Sequence, residues 1–104
     1  MREHFMKTHP SSVWNASSSV RSTYTQDGGV LLDVEKGMCY SLNAVASKLW
    51  NHLEQNKDGV TFEDLVNVIR TNFEVTDGQL ESDIAAHLEK LEEMGLVRRS
   101  SPVA

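Results

Sequence analysis

The sequence predicts an α+β domain in which a three-stranded antiparallel sheet is followed by three helices. The first observation is the stretch from Gly29 to Trp50, which has the pattern of two short strands running directly into a helix. The second is that two segments with apolar residues at helical spacing follow it, each preceded by a short polar break. Strands followed by helices are typical of α+β folds, so we expect helices on one face of the sheet and a helix-turn-helix between the last two.

Length and composition set the limits of this fold. The chain has 104 residues, of which 39% are hydrophobic and 24% charged, as expected for one small globular domain. The single cysteine cannot form an internal disulfide, and no apolar run reaches the ~18 residues that a membrane span needs. The N-terminus lacks the apolar segment of a secretory signal. We therefore expect a cytoplasmic protein that does not enter the membrane.

The first nineteen residues predict a flexible N-terminal tail. They are rich in Ser, Thr, His and Asn and have neither the strand nor the helix period of apolar residues. Val13 and Trp14 are the exception, and docking of this tryptophan on the domain or on a partner is the alternative. The expected organisation is a tail over residues 1–19, a domain over residues 20–99 and a C-terminal tail over residues 100–104.

The three predicted strands form a meander. The alternation from Val20 to Thr25 has the period of a half-buried strand and ends at the turn signal Gln26 to Gly29. Val30 to Val34 is aliphatic, Gly37 ends a polar turn, and Met38 to Leu42 resumes the extended pattern. These segments predict two consecutive hairpins.

Three helical segments follow, running from Asn43 to about Asn56, from Thr61 to about Phe73 and from Thr76 to about Met94. Asn43 and Thr61 stand at N-cap positions, and Thr76 with Gln79 three residues later matches a capping box. Gly95 ends the third helix, and a short extended segment is expected from Leu96. The apolar stripes of the helices predict that the following side chains are buried: Leu49, Trp50, Leu65, Ile69, Leu88 and Leu91.

Candidate catalytic groups are sparse in this sequence. Of the four histidines, His4 and His9 lie in the tail. The other two, His52 and His87, belong to different helices and have no acid or cysteine neighbour at a ligand spacing. Cys39 lies in an apolar strand, where a free cysteine usually packs as a small hydrophobe. Phosphate-binding loops and hydrolase motifs are also missing from the sequence. We therefore expect no catalytic residue, no metal and no cofactor, and the chain is not predicted to be an enzyme.

A helix-turn-helix raises the possibility of nucleic-acid binding, and charge argues against it. Duplex binding depends on clustered lysines and arginines that neutralise phosphates. The segment from Thr76 to Met94 instead carries six carboxylates and one lysine. We therefore expect no nucleic-acid partner. A winged-helix regulator and a structural subunit of an enzyme complex remain the alternative functions.

The strand from Met38 to Leu42 indicates a different kind of partner. It contains no proline and no charge, so it lacks the usual features that protect an exposed sheet edge. Residue pattern alone leaves open whether it is an outer strand or a buried central one. As an outer strand, it would accept an extended peptide as an additional strand.

The order of these segments resembles a known family. The pattern G-V-L-L-D-x-x-x-G-x-x-Y-x-L-N is followed by a helix with L-W, a Thr-initiated helix containing D-L-V, and D-I-x-x-H-L-x-x-L-x-x-x-G-L-V. This arrangement is similar to that of the PqqD-like proteins, the peptide chaperones of pyrroloquinoline quinone biosynthesis. The similarity runs from about Val20 to Arg99, and its best marker is Tyr40 to Asn43 followed by Leu49 and Trp50.

The resemblance implies a precursor peptide recognition element with a winged-helix-like fold. Such a domain binds the leader of a ribosomally synthesised peptide alongside its third strand, in a cleft walled by its third helix. Stand-alone members serve lasso peptide pathways, which we favour here, as well as quinone cofactor synthesis. The implied partners are a precursor leader peptide and a leader peptidase or other modifying enzyme.

Transferred to this sequence, the resemblance makes the strand from Met38 to Leu42 the binding edge. A helical wheel places one flank of the third helix beside its apolar stripe, and that flank is the implied wall of the cleft. The predicted peptide-binding residues are Met38, Cys39, Tyr40, Ser41, Leu42, Asp83, Ala86, His87 and Lys90.

Overall fold

The computed structural model describes residues 11–73 and 78–100 of the chain. The elements are β1 (Val13–Ala16), β2 (Val20–Thr25), β3 (Gly28–Asp33), β4 (Met38–Asn43), α1 (Ala44–Gln55), β5 (Val60–Thr61), α2 (Phe62–Phe73), α3 (Leu80–Glu93) and β6 (Val97–Ser100). The predicted α+β fold, with a meander followed by three helices, is confirmed.

Strands β2, β3 and β4 form the predicted meander. Each strand is antiparallel to the next, with Thr25 opposite Gly28 in the first hairpin and Asp33 opposite Met38 in the second. The buried Asp33 carboxylate holds the second turn, because its Oδ1 accepts the backbone N–H groups of Glu35 at 3.1 Å and Lys36 at 3.2 Å. The turn ends at Gly37, whose φ of 67° favours glycine.

The strand order decides whether β4 is a central or an outer strand. It is β2-β3-β4, so β3 lies in the centre and β4 pairs with β3 alone. The segment that the sequence left undecided is therefore an outer strand, with one edge unpaired among the described residues.

A second sheet, which the sequence did not predict, has the order β5-β1-β6. Its central strand is β1, so the prediction of a flexible tail is wrong for Val13–Ala16. Trp14 docks on the domain, with no exposed surface. Ser100 belongs to β6, so the domain extends beyond both predicted boundaries, whereas residues 1–10 and 101–104 lie outside the described part of the chain.

The first two helices begin where their caps predict. Asn43 Oδ1 accepts the N–H of Ala46 at 2.8 Å at the start of α1, and Thr61 Oγ1 accepts the N–H of Asp64 at 3.1 Å at the start of α2. Both hydrogen bonds satisfy a backbone donor that the helix itself leaves free.

Helix α3 is described from Leu80, later than the predicted start at Thr76. Gln79 occupies the N-cap position without a side-chain capping bond, and Thr76 lies outside the described residues. At the other end, the N–H of Gly95 bonds to Glu92 O at 3.0 Å and that of Leu96 to Leu91 O at 2.9 Å. This pair of bonds, with Gly95 at φ 77°, is a Schellman motif.

The core lies between the inner face of the meander, the second sheet and the three helices. All six side chains that the sequence predicted to be buried are buried, and Trp14, Leu31 and Leu96 complete the centre of the core. None of the helices in the described part of the chain has the length and apolar character needed to cross a bilayer.

Candidate functional site

Backbone directions in β3 show which of its residues pair with β4. The N–H of Val34, just after β3, donates to Ser19 O on the β2 side at 3.0 Å. Backbone groups alternate in direction along a strand, so those of Leu31 and Asp33 point the other way, towards β4.

The free edge of β4 follows from this pairing. Leu31 lies opposite Tyr40 and Asp33 opposite Met38, so Tyr40 and Met38 direct their backbone groups towards β3. Cys39 and Ser41 must then direct their N–H and C=O groups away from β3. The open edge therefore presents two donors and two acceptors in the geometry that an added strand requires.

The side chains of β4 divide between two faces. Tyr40 and Leu42 are half-buried and pack against the core, whereas Cys39 and Ser41 are exposed on the outer face. Cys39 is therefore not in the apolar setting that its sequence neighbours suggest. Met38, 49% exposed at the start of the strand, adds apolar surface beside the open edge.

Two ion pairs orient α3. Glu81 accepts from Arg70 of α2 at 3.1 Å, and Glu92 accepts from Arg99 of β6 at 2.8 Å. The first contact also lowers the pKa of the Glu81 carboxyl. These contacts direct one side of α3 towards α2 and β6, so the predicted cleft flank lies on the other side of the helix.

The flank itself is mostly polar and open. Asp83, Ala86 and Lys90 are exposed, and His87 is half-buried. The His87 Nε2 atom is buried and has no hydrogen-bond partner in the described part of the chain. Desolvation, together with the nearby Lys90 charge, lowers the pKa of the His87 imidazole, so this residue is held as the neutral ring.

A hydrogen bond joins the end of α3 to the β3–β4 hairpin. Lys36 Nζ in the hairpin turn donates to Met94 O at 2.7 Å, at the end of α3, where a cation also interacts favourably with the helix dipole. Elsewhere α3 packs on α2 and β6, and β4 packs on β3 and α1. Sequence reasoning missed Lys36 and Met94, because nothing local indicates a contact across so many residues.

The described residues contain no cluster of His, Cys, Asp or Glu that could hold a metal ion. What the arrangement offers instead is an unpaired strand edge, apolar side chains on its inner face and a polar helix flank joined to the same hairpin. Such a site suits an extended peptide.

Comparison with known proteins identifies the family. The model of "Coenzyme PQQ synthesis protein D (PqqD)" matches residues 28–97, which is more than half of the chain. The chain belongs to the PqqD family. The matched span begins at β3 and includes β4 and α3, so the whole candidate site lies within it.

Two solved structures are similar to this PqqD-family chain. One is TbiB1 in complex with the TbiA(beta) leader peptide, with 30% identity, 81% of this chain and 94% of that chain covered, and a TM-score of 0.70. The other is a lasso peptide synthetase B1 complexed with the leader peptide, with 28% identity, coverage of 82% and 96%, and a TM-score of 0.65. A comparison with curated proteins gives no significant match.

Proposed function

We propose that this PqqD-family protein binds the leader of a ribosomally synthesised precursor peptide and presents it to the modifying enzymes of lasso peptide biosynthesis. The observation that carries the proposal is the open edge of β4, where Cys39 and Ser41 direct their backbone groups outwards. Two similar solved structures are complexes with leader peptides, which supports the same kind of ligand here.

In the proposed complex, the leader lies beside β4 as a fourth strand of the meander. Its alternate side chains meet the half-buried Tyr40 and Leu42 on the inner face, and the flank of α3 is the proposed wall of the cleft. About four backbone hydrogen bonds at ~1 kcal/mol net each and one or two buried apolar side chains at ~1.5 to 3 kcal/mol each favour the complex. Because ordering the peptide offsets part of this gain, we expect a Kd no tighter than about micromolar.

The protein acts in this proposal as a binding partner of a leader peptidase or cyclase, and it performs no chemistry itself. A nucleic-acid regulator is a poorer alternative on electrostatic grounds. The described part of α3 carries five carboxylates and a single lysine, so a nucleic-acid backbone would be repelled along the helix.

Substitution of Ser41 by proline tests strand addition directly. Proline removes the outward N–H of Ser41 and places a ring where the leader would lie, while an outer strand tolerates it on its unpaired side. We expect Ser41→Pro to weaken binding of a fluorescein-labelled leader about tenfold or more in an anisotropy titration.

The matched control is Ser41→Ala, which alters the same side chain and keeps the N–H. We expect it to bind leader within about twofold of the wild type, because the Ser41 hydroxyl lies on the outer face. A folded Ser41→Pro protein that binds as tightly as Ser41→Ala would disprove leader addition at this edge.

A further inference from the structure

A second concave surface lies at the opposite edge of the meander from β4. It is a cleft of about 660 Å³ bordered by β1, β2, β6 and the end of α1. Its volume is in the range of ligand sites in proteins. Its lining residues include Asn15, Ser17, Arg21, Glu54, Lys57 and Arg98.

Three cations line this cleft in a protein of net charge −5. Arg21, Lys57 and Arg98 are exposed, and within residues 11–73 and 78–100 none of them is paired with a carboxylate. The Arg21 guanidinium donates instead to a backbone oxygen, Ser18 O, at 3.3 Å. By contrast, Arg70 and Arg99 both pair with glutamates.

Glu54 is the one carboxylate among the lining residues, and its oxygens are already engaged. It accepts from Ser22 Oγ at 2.7 Å and from the Tyr24 hydroxyl at 2.6 Å. Burial, followed by the Glu54 contact, raises the pKa of Tyr24 to about 12, so the phenol stays a donor to Glu54. The cleft therefore keeps an excess of positive charge.

The surroundings of the cations favour spaced carboxylates over a compact phosphate. Phosphate sites typically use the N–H groups at a helix N-terminus, and no helix N-terminus is among the lining residues. The C-terminal end of α1, which lies at this cleft, disfavours phosphate and carboxylate alike, so the attraction of an anion must come from the three cations. Asn56 satisfies two carbonyls there, with its N–H on Leu53 O at 3.2 Å and its Nδ2 on His52 O at 2.7 Å. The cations come from β2, β6 and the loop after α1, and so mark separate positions along the surface.

We infer that this cleft docks an acidic segment of a partner protein. Its carboxylates would pair with Arg21, Lys57 and Arg98, and the hydroxyls and amides of the lining would bind its backbone. Because β2 and β4 are opposite edges of one meander, the leader edge stays free when the cleft is filled. The inference rests on the charge and shape of the cleft and holds independently of leader binding.

The test uses the full chain and a fluorescein-labelled peptide of about twelve residues that alternates Glu with Ser or Ala. We expect saturable binding at low ionic strength that weakens steeply with added salt, and no binding of the matched peptide with Gln in place of Glu. Comparable binding of the two peptides would overturn the inference.

Charge-matched variants locate the site. We expect Arg98→Gln to weaken binding about threefold or more, and Lys48→Gln, which removes the same charge elsewhere, to leave it nearly unchanged. Equal weakening by both variants would show a response to net charge alone and would overturn the inference. So would displacement of the peptide by an equimolar amount of inorganic pyrophosphate, which would identify a small-anion site.

Amide chemical shifts provide a readout that does not depend on affinity. We expect the acidic peptide to perturb the amides of residues 15–18 and Arg98 and to leave those of Met38–Asn43 unchanged. Perturbation centred on Met38–Asn43 instead would place the peptide at the leader edge and contradict the inference.

Discussion

Trp14 is the residue on which the second sheet depends most. It is fully buried in the central strand β1, and the Arg99 guanidinium lies 4.8 Å from its ring centroid. Arg99 is held in turn by Glu92 at 2.8 Å. One tryptophan thus connects the core to β6 and α3, and the cation–π contact supplements the burial of its large apolar surface.

Replacement of Trp14 by alanine should therefore be severe. We expect Trp14→Ala to lower the free energy of unfolding by about 3 to 5 kcal/mol in urea denaturation, because it leaves a large cavity in the core. The control, Arg99→Gln, removes the cation–π contact and keeps the buried ring, so it should cost about 1 kcal/mol. A loss below about 1 kcal/mol for Trp14→Ala would mean that β1 is not part of the folded domain.

His87 gives the protein a pH-dependent stability. The folded protein lowers the pKa of this imidazole, mainly by desolvation and then by the charge of Lys90. The unfolded chain therefore binds the proton more readily than the folded one. The contribution of His87 is complete above the ordinary histidine pKa of about 6.5 and is lost progressively as the pH falls from there through the lowered pKa.

We expect the urea midpoint of the wild type to fall between about pH 7.5 and about pH 5.5. His87→Gln cannot be protonated, so it should show a smaller fall over the same interval. The measurement is a pair of denaturation curves for each protein. An identical fall in wild type and His87→Gln would show that other groups produce the pH dependence.

At the scale of elements, the sequence predicts those parts of the fold that have a local signal. The β3–β4 hairpin has turn residues between two extended runs, and the helices have caps and a 3.6-residue period. The strands β1 and β5 have only four and two residues, and β1 pairs with β6, more than eighty residues away in the chain. No hydrophobic periodicity can develop over such lengths, so the residue pattern of β1 is that of a tail.

The candidate site likewise has one feature with a local sequence signal and others without one. Residue pattern identifies Met38 to Leu42 as a strand, but its place at the edge depends on the order of strands in the sheet, a property of the whole fold. The family resemblance supplied that expectation, and the fold agrees with it. The link between Lys36 and Met94 has no counterpart in the sequence, because any lysine in a turn has the same local pattern.

The orientation of α3 leads to an electrostatic prediction. If a basic leader residue meets the exposed Asp83, Asp83→Lys should weaken leader binding, mainly through slower association, since a partly exposed pair is worth only about 0.2 to 1 kcal/mol. Stopped-flow mixing at two salt concentrations measures the effect. Glu63→Lys is the control because it makes the same charge change at an exposed position on α2, which packs on the other side of α3.

Glu92 would be a poorer control, since its carboxylate holds Arg99 against Trp14. Equal slowing by Asp83→Lys and Glu63→Lys would indicate that only the overall charge of the protein matters. The assignment of one flank of α3 to the wall of the cleft would then be wrong; its residues are Asp83, Ala86, His87 and Lys90.

At the scale of the whole molecule, two kinds of proposed site lie at opposite edges of the meander. The meander has two outer strands: β4 presents the unpaired edge that we propose for the leader, and β2 borders the cationic cleft. If both proposals hold, a leader and an acidic partner segment would occupy opposite edges of the meander. That arrangement would suit a protein whose proposed role is to bring a peptide to an enzyme.

The central claim is that the leader adds to β4 as a strand, and amide hydrogen exchange with and without leader tests it most directly. In the free protein the N–H groups of Cys39 and Ser41 point to solvent and should exchange fast, whereas those of Met38 and Tyr40 are protected by β3. Saturating leader should slow Cys39 and Ser41 about tenfold or more and change Met38 and Tyr40 little. Unchanged exchange at Cys39 and Ser41 with the leader fully bound would contradict strand addition.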